Sequence, residues 1–321
     1  MSCQIILNSS HWDSGTNKFR YTFPNAQNFN GKEVALTTCN INNQFFNVRS
    51  ALGNNKINVI WPMSNSGNTG KLFQMILQDG YYSISDINAN LQQMMFNNYL
   101  YTKDDAGNVN YYIDIEANST YYTCDITCTK IPFTNASALG QHFPASAPFS
   151  TGTQNLAPYL LFNKPLGELL GFTTDKYKND ATVSGIDQCT ITNGDAPSWN
   201  IQVPVGDSGA KGFKTSTSYS SSDFSPEINI VSSLIITCSL VNNVGISNPT
   251  NIINAMPVSN VAIGNQITLP NSYPIYQPVA ANQYREVVIS FLDQLAVPVY
   301  IMDPDVLIIL SIRDGKEKKR Q

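Results

Sequence analysis

Apolar and polar residues alternate along most of this chain with a period of two, the repeat of a half-buried β-strand. Phe19, Tyr21 and Phe23 share one face of FRYTFP (19–24), and Val34, Leu36 and Thr38 share one face at the start of KEVALTTCNINNQFFNV (32–48). CQIILNS (3–9), KINVIWP (56–62) and LFQMILQ (72–78) read as further strands. VNYYIDIEA (109–117) and TYYTCDITCTKI (120–131) flank a turn at Asn118 and Ser119, which predicts a hairpin. The last third is the most strand-like. It runs INIVSSLIITCSL (228–240), QITLP (266–270), YPIYQP (273–278), REVVISFLD (285–293), VPVYIM (297–302) and DVLIILSIR (305–313).

One stretch departs from this pattern. In LQDGYYSISDINANLQQMM (77–95), Ile84, Ile87, Leu91 and Met94 recur at helical spacing, and Ser83 with Asp86 three positions on forms a capping arrangement. PLGELLGF (165–172) reads as a short helix, with Pro165 at its start and Gly171 at its end. Residues 133–158 are rich in Ala, Ser, Pro and Gly and read as loop, as does the turn-rich stretch 176–227. Eight to ten short strands with one amphipathic helix and one helical turn predict an all-β sandwich or jelly roll with long inter-strand loops.

Composition narrows the possibilities. Charged residues are 13% of the 321, about half the usual share, so Asn, Ser and Thr must supply much of the polar surface. A net charge of −4 argues against a nucleic-acid binder that uses its whole surface. The start, MSCQIILNSSHWD, lacks the pattern of a signal peptide, and no window reaches the roughly 18 apolar residues of a membrane span. Cys3, Cys39, Cys124, Cys128, Cys189 and Cys238 are scattered and read as free thiols.

Candidate chemistry is sparse. His11 and His142 sit in loop contexts with no neighbouring carboxylate or cysteine pattern. Cys124 and Cys128 would share one strand face, two steps apart, too far for an easy disulfide. GNTGK (67–71) lacks the full phosphate-loop pattern, and DDAGN (104–108) lacks the twelve-residue calcium loop, so both read as turns. Nothing in sequence joins Glu168 to Asp293 as a catalytic pair. No enzyme activity and no catalytic, metal or cofactor-binding residue is assigned. The one charge cluster is the tail RDGKEKKRQ (313–321), where Lys316, Lys318, Lys319 and Arg320 form either a solvated end or an electrostatic contact with nucleic acid or an acidic partner.

The order of motifs resembles a known family. QNFNGKEVALTTCNINNQFFNVRS, NNKINVIWP, DGYYSISDINANLQQMM, YYIDIEAN and LGELLGF, followed by YPIYQPVAANQYREVVISFLDQLAVPVYIMDPDVLIILSIRD, are similar to the penton (minor capsid) proteins of virophages and Polinton-like viruses. The C-terminal features fall on Phe291, Asp293, Pro298, Val299 and Leu307 to Arg313. The likeness covers roughly 1–175 and 228–321. It implies one jelly-roll domain over 1–321, with 176–227 as a variable loop or small insertion and 314–321 as a basic tail. It also implies a homopentamer at the fivefold vertices of an icosahedral virion, assembled inside the host cell beside a double-jelly-roll major capsid protein. In that setting the tail would face the genomic DNA.

Two other readings stand beside this one. A compact double-jelly-roll major capsid protein forming trimers would need a second helix-containing unit, and the chain has one DGYYS segment. A β-sandwich binding carbohydrate or a receptor would use exposed aromatic residues, with Trp12, Trp61 and Trp199 as candidates.

Overall fold

The computed structural model describes residues 3–63, 70–147, 155–173, 199–204, 213–243, 249–258, 261–269, 273–302 and 305–315. The chain opens with β1 (Cys3–Leu7), β2 (Trp12–Asp13), β3 (Lys18–Asn28) and β4 (Lys32–Asn42). Next come β5 (Lys56–Pro62), β6 (Gly70–Ile76), helix α1 (Ile84–Asn97), β7 (Thr102–Asp104), β8 (Val109–Asn110), β9 (Ile113–Asn118), β10 (Thr123–Cys128), β11 (Gln141–His142) and β12 (Tyr159–Asn163). Helix α2 (Lys164–Leu169), β13 (Trp199–Val203) and β14 (Ser218–Ser221) follow. The chain closes with β15 (Ser233–Cys238), β16 (Ile252–Pro257), β17 (Gln266–Thr268), β18 (Gln277–Pro278), β19 (Gln283–Leu292) and β20 (Leu307–Asp314).

The strand pairing defines the fold. One sheet runs β1-β20-β4-β17, with β18 also on β4, and a second runs β16-β15-β19-β3-β2. Setting aside the accessory β2 and β18, the remaining eight strands pair first-eighth-third-sixth and fifth-fourth-seventh-second. That is the strand order of a jelly roll, two interleaved Greek keys. All its pairs are antiparallel. The expected all-β jelly-roll sandwich is present, built by the two ends of the chain.

Alternation explains why these two sheets meet. Val287, Ile289 and Phe291 of β19 and Ile308, Leu310 and Ile312 of β20 are buried at every second position. With Leu7, Phe19, Val34, Leu36, Ile41, Leu234 and Ile236 they form one continuous apolar core. Each such side chain contributes about 1.5–3 kcal/mol by leaving water. Phe19 and Phe291, on adjacent strands, meet edge to face at 6.1 Å, a favoured aromatic geometry.

These strands belong to one compact unit, Met1–Phe45 with Asn229–Gln321, and residues Phe46–Ile228 group as a second. The second unit holds a four-stranded sheet, β13-β12-β5-β6, and two three-stranded sheets, β14-β10-β9 and β11-β7-β8. The family resemblance implies one domain over 1–321, which would include both units. Part of the 176–227 segment expected as loop supplies β13 and β14, which pair with β12 and β10. Residues 213–217 and 222–227 are irregular apart from a bridge from Lys214 to Ala157, and 176–198 and 205–212 lie outside the described residues.

Helix α1 starts where the sequence predicts. The Ser83 hydroxyl accepts from the Asp86 N–H at 3.2 Å while the Asp86 carboxylate accepts from the Ser83 N–H at 2.9 Å, a reciprocal capping box. Ile84, Ile87, Leu91 and Met95 are its buried residues. Met95 therefore takes the place expected for Met94, because three-, four- and four-residue steps keep closest to a stripe of period 3.6. The second helix also ends as expected. Gly171 has φ +82°, a left-handed conformation that only glycine adopts without strain, and the Phe172 N–H reaches back to the Gly167 carbonyl at 2.8 Å.

VPVYIM (297–302) departs from its expected strand and is irregular apart from a bridge between Pro298 and Leu292. Pro298 has no N–H to give a ladder. The Asn17 side chain takes over the pairing, donating to the Val299 carbonyl at 2.7 Å and accepting from the Ile301 N–H at 3.0 Å.

Candidate functional site

The residues that could carry chemistry are either buried or engaged. Cys39, Cys124, Cys128 and Cys238 are buried, and burial pushes the thiols of Cys39, Cys124 and Cys238 up to about 12 and that of Cys128 higher still. At neutral pH they are inert apolar groups rather than thiolates. Cys3 is exposed, and Cys189 lies outside the described residues. Among the described residues, no three His, Cys, Asp or Glu side chains gather to hold a metal ion.

The histidines differ from each other. His11 stacks on Tyr21, centroids 5.5 Å apart, with Nδ1 3.0 Å from Oδ1 of Asn8. His142 has a carboxylate neighbour after all, Asp105 Oδ1 at 2.8 Å from Nε2. The β7–β11 pairing brings the two together across 37 residues, a proximity no local pattern reveals. Both side chains are well exposed, so this contact contributes at most about 1 kcal/mol.

The expected turn at 104–108 is a hairpin turn. Asp104 accepts from the Asn108 N–H at 2.7 Å and the Asn108 side-chain amide at 2.9 Å, which holds its carboxyl below the usual range. Glu168 pairs with Lys164 at 3.5 Å on α2, while Asp293 organises a loop in the jelly-roll unit. Of the candidate tryptophans, Trp61 is fully buried in an edge-to-face contact with Tyr112, and Trp12 packs partly buried against the jelly-roll core. The Trp199 side chain lies outside the described residues, as do residues 67–69 of GNTGK and the whole set Lys316, Lys318, Lys319 and Arg320.

What the surface offers instead is rigidly presented apolar area. In the jelly-roll unit, the connection from β19 to β20 exposes Leu295 (76%), Val297 (52%), Tyr300 and Met302. Its first turn is locked by Asp293, whose Oδ1 accepts from the N–H groups of Leu295 (2.8 Å) and Val297 (2.9 Å). Its backbone N–H donates to the Val297 carbonyl at 2.9 Å, and Ala296 takes a left-handed φ of 62°. Gln294 ties the loop to the start of β15, donating to the Ile230 carbonyl and accepting from the Ser232 N–H. Asn17 ties it to the β2–β3 turn. Tyr273 (96%) and Ile275 (68%) also stand open ahead of β18. In the second unit, Tyr121 and Tyr122 project from the tip of the β9–β10 hairpin, held by two N–H groups donating to the Asn118 side-chain oxygen.

Large apolar side chains fixed in this way are suited to bury area against another protein at little cost in conformational entropy. No family model matches the chain, and no curated protein matches it. Solved structures do. The chain is similar to the mavirus penton protein, at 10% identity and a TM-score of 0.39, covering 97% of this chain and 97% of that one. It is also similar to a chain of the Sputnik virophage structure, at 9% identity and a TM-score of 0.33, covering 97% and 96%.

Proposed function

We propose that this chain is a structural capsid protein that closes into a homopentamer and occupies the fivefold vertices of an icosahedral virion, beside a double-jelly-roll major capsid protein. The observation that carries this reading is a jelly roll whose rigid loops present exposed Leu295, Val297, Tyr300 and Met302. A ring requires two different patches per subunit, joined head to tail, and each must be large enough to hold. A surface poor in charge lowers the desolvation cost of burying such patches. The sequence resemblance agrees in place as well as in kind, since its C-terminal block supplies β18, β19, β20 and the Asp293 loop between the last two.

Among the described residues the jelly-roll strand order occurs once, which disfavours the double-jelly-roll reading. Burial of Trp61 removes one of the three aromatic candidates for a carbohydrate-binding face. Native mass spectrometry of the recombinant protein tests the proposal. A species of five 35.4 kDa chains is the expected result. A stable trimer would move the assignment to the major capsid role. A monomer that stays monomeric at about 100-micromolar concentration and binds sugars at about millimolar Kd would replace it with the binding module.

A further inference from the structure

Between β3 and β4 the chain turns through Phe29, Asn30, Gly31 and Lys32. The Lys32 N–H donates to the Phe29 carbonyl at 3.0 Å, and Gly31 stands third with φ +70°, the pattern of a type II turn. That third position asks for glycine. The fold asks nothing comparable of the Asn30 side chain. The Asn30 backbone N–H donates to Asn28 Oδ1 at 2.9 Å, but among the described residues its own amide has no hydrogen-bond partner.

An asparagine followed by glycine carries its own reactants. The Gly31 backbone nitrogen attacks Cγ of Asn30, closing a five-membered cyclic imide and releasing the side-chain nitrogen as ammonia. Water then opens the imide at one of its two carbonyls. Opening at Cγ leaves an aspartate at position 30. Opening at the main-chain carbonyl leaves isoaspartate, with the backbone routed through the former side chain and one methylene longer.

Three features leave this pair free to react. Both residues are exposed. The Gly31 N–H makes no backbone hydrogen bond among the described residues. A Cβ built on Gly31 would meet nothing within 4 Å, so neighbours do not crowd the closing ring. Asn17 shows the opposite case. Its amide donates to the Val299 carbonyl, its oxygen accepts from the Ile301 N–H, and a lysine follows it.

The same turn holds the end of the last strand. The Gly31 carbonyl accepts from the Gly315 N–H at 2.8 Å. Lys32 pairs with Asp314 at the final register position of β4 and β20, and Glu33 pairs with Arg313 at 2.8 Å. We propose that Asn30 is a self-modifying site, which deamidates through a cyclic imide on the Gly31 nitrogen and thereby releases Gly315 at the end of β20. The added methylene of isoaspartate displaces the Gly31 carbonyl from Gly315. The new carboxylate stands two residues from Lys32, where it competes with Asp314. This inference goes beyond the penton reading and holds whatever the number of chains in the assembly.

The test ages the folded full-length protein at mildly alkaline pH and follows its tryptic peptides by mass spectrometry. The peptide of residues 21–32 is expected to gain the mass of an amide turned acid, and fragmentation to place the change at Asn30. An isoaspartate methyltransferase should label the same peptide. Conversion should slow at mildly acidic pH, where fewer backbone nitrogens lose their proton. The peptide ending at Lys18, which holds Asn17, is expected to stay unchanged over the same time. Asn30→Gln should lose the conversion, because its imide would need a six-membered ring. Its melting curve should match wild type, since the side chain it replaces is exposed and unbonded. In the converted protein, hydrogen exchange at Gly315 should rise while Val287 and Ile289 of the core keep their protection. An Asn30 that converts no faster than Asn17, or only after unfolding in urea, overturns the site. Conversion that leaves exchange at Gly315 unchanged overturns its coupling to β20.

Discussion

Ile87 and Leu91 on α1 are both fully buried, and truncating either leaves a cavity as well as losing the transfer energy. Ile87→Ala is expected to destabilise by about 2–5 kcal/mol, read as a lower urea midpoint. The capping box gives a finer effect. Ser83→Ala is expected to cost about 1 kcal/mol, a drop of a few degrees in melting temperature. Asp86 adds a pH dependence of known sign. Hydrogen bonds from Ser83 hold its carboxyl below the ordinary 3.8, so its contribution is present above that value and fades as pH falls through the lowered one. Melting curves of wild type and Asp86→Asn should therefore differ at pH 7 and converge as the pH drops well below 3.8. At Gly171 an added Cβ would meet the Phe224 carbonyl oxygen at 2.1 Å, on a backbone already left-handed. Gly171→Ala should cost more than the roughly 1 kcal/mol typical of a glycine forced off its φ, measured by urea denaturation. At this scale the sequence was informative where the interaction is local. Ser83, Asp86 and Gly171 could be read because their partners lie within a turn or two, whereas His142 and Asp105 meet only through tertiary pairing.

Strands show the same division. β19 and β20 alternate inside and outside and are legible; β12, YLLFN, carries no such signal, because all five of its residues are buried and an unbroken apolar run has no period to detect. Central placement between β5 and β13 is the cause. The Asp293 loop departs from the expected strand for the opposite reason: its apolar residues alternate, yet a left-handed alanine and a proline without an N–H limit its pairing to one short bridge with the end of β19. Because Asp293 holds two N–H groups of that loop, Asp293→Ala should leave the jelly roll folded but loosen the presentation of Leu295 and Val297. Leu295→Asp removes the apolar contact itself. If the loop is part of the ring contact, native mass spectra of Leu295→Asp will show mainly single chains while its melting temperature stays within a degree or two of wild type.

At the scale of the whole molecule, the strand inventory could be read but its grouping into units could not, since nothing local to Phe45 or Asn229 announces that the sandwich is interrupted and resumed there. The buried thiols offer a way to watch the two units separately. Cys39 and Cys238 lie in the jelly-roll core, while Cys124 and Cys128 lie on β10 of the second unit. With a thiol reagent in increasing urea, Cys3 is expected to label first in native conditions. The two pairs should follow at different urea concentrations if each unit unfolds on its own, as mass spectrometry of the labelled peptides would show.

The neighbour of β1 in its sheet is β20, which lies about 300 residues downstream. A ribosome adding about 5–20 residues per second would hold the N-terminal strand without its partner for about 15–60 s. Through that interval Ile5 and Leu7 lack the strand that pairs beside them, and in its last part, once residue 228 has been added, the second unit is complete and free to fold. The nascent chain thus passes through a stage in which one unit is native and the other is half a sandwich with open edges. A holdase chaperone would bind that stage, and crowded polysomes would be most prone to entangle neighbouring chains there.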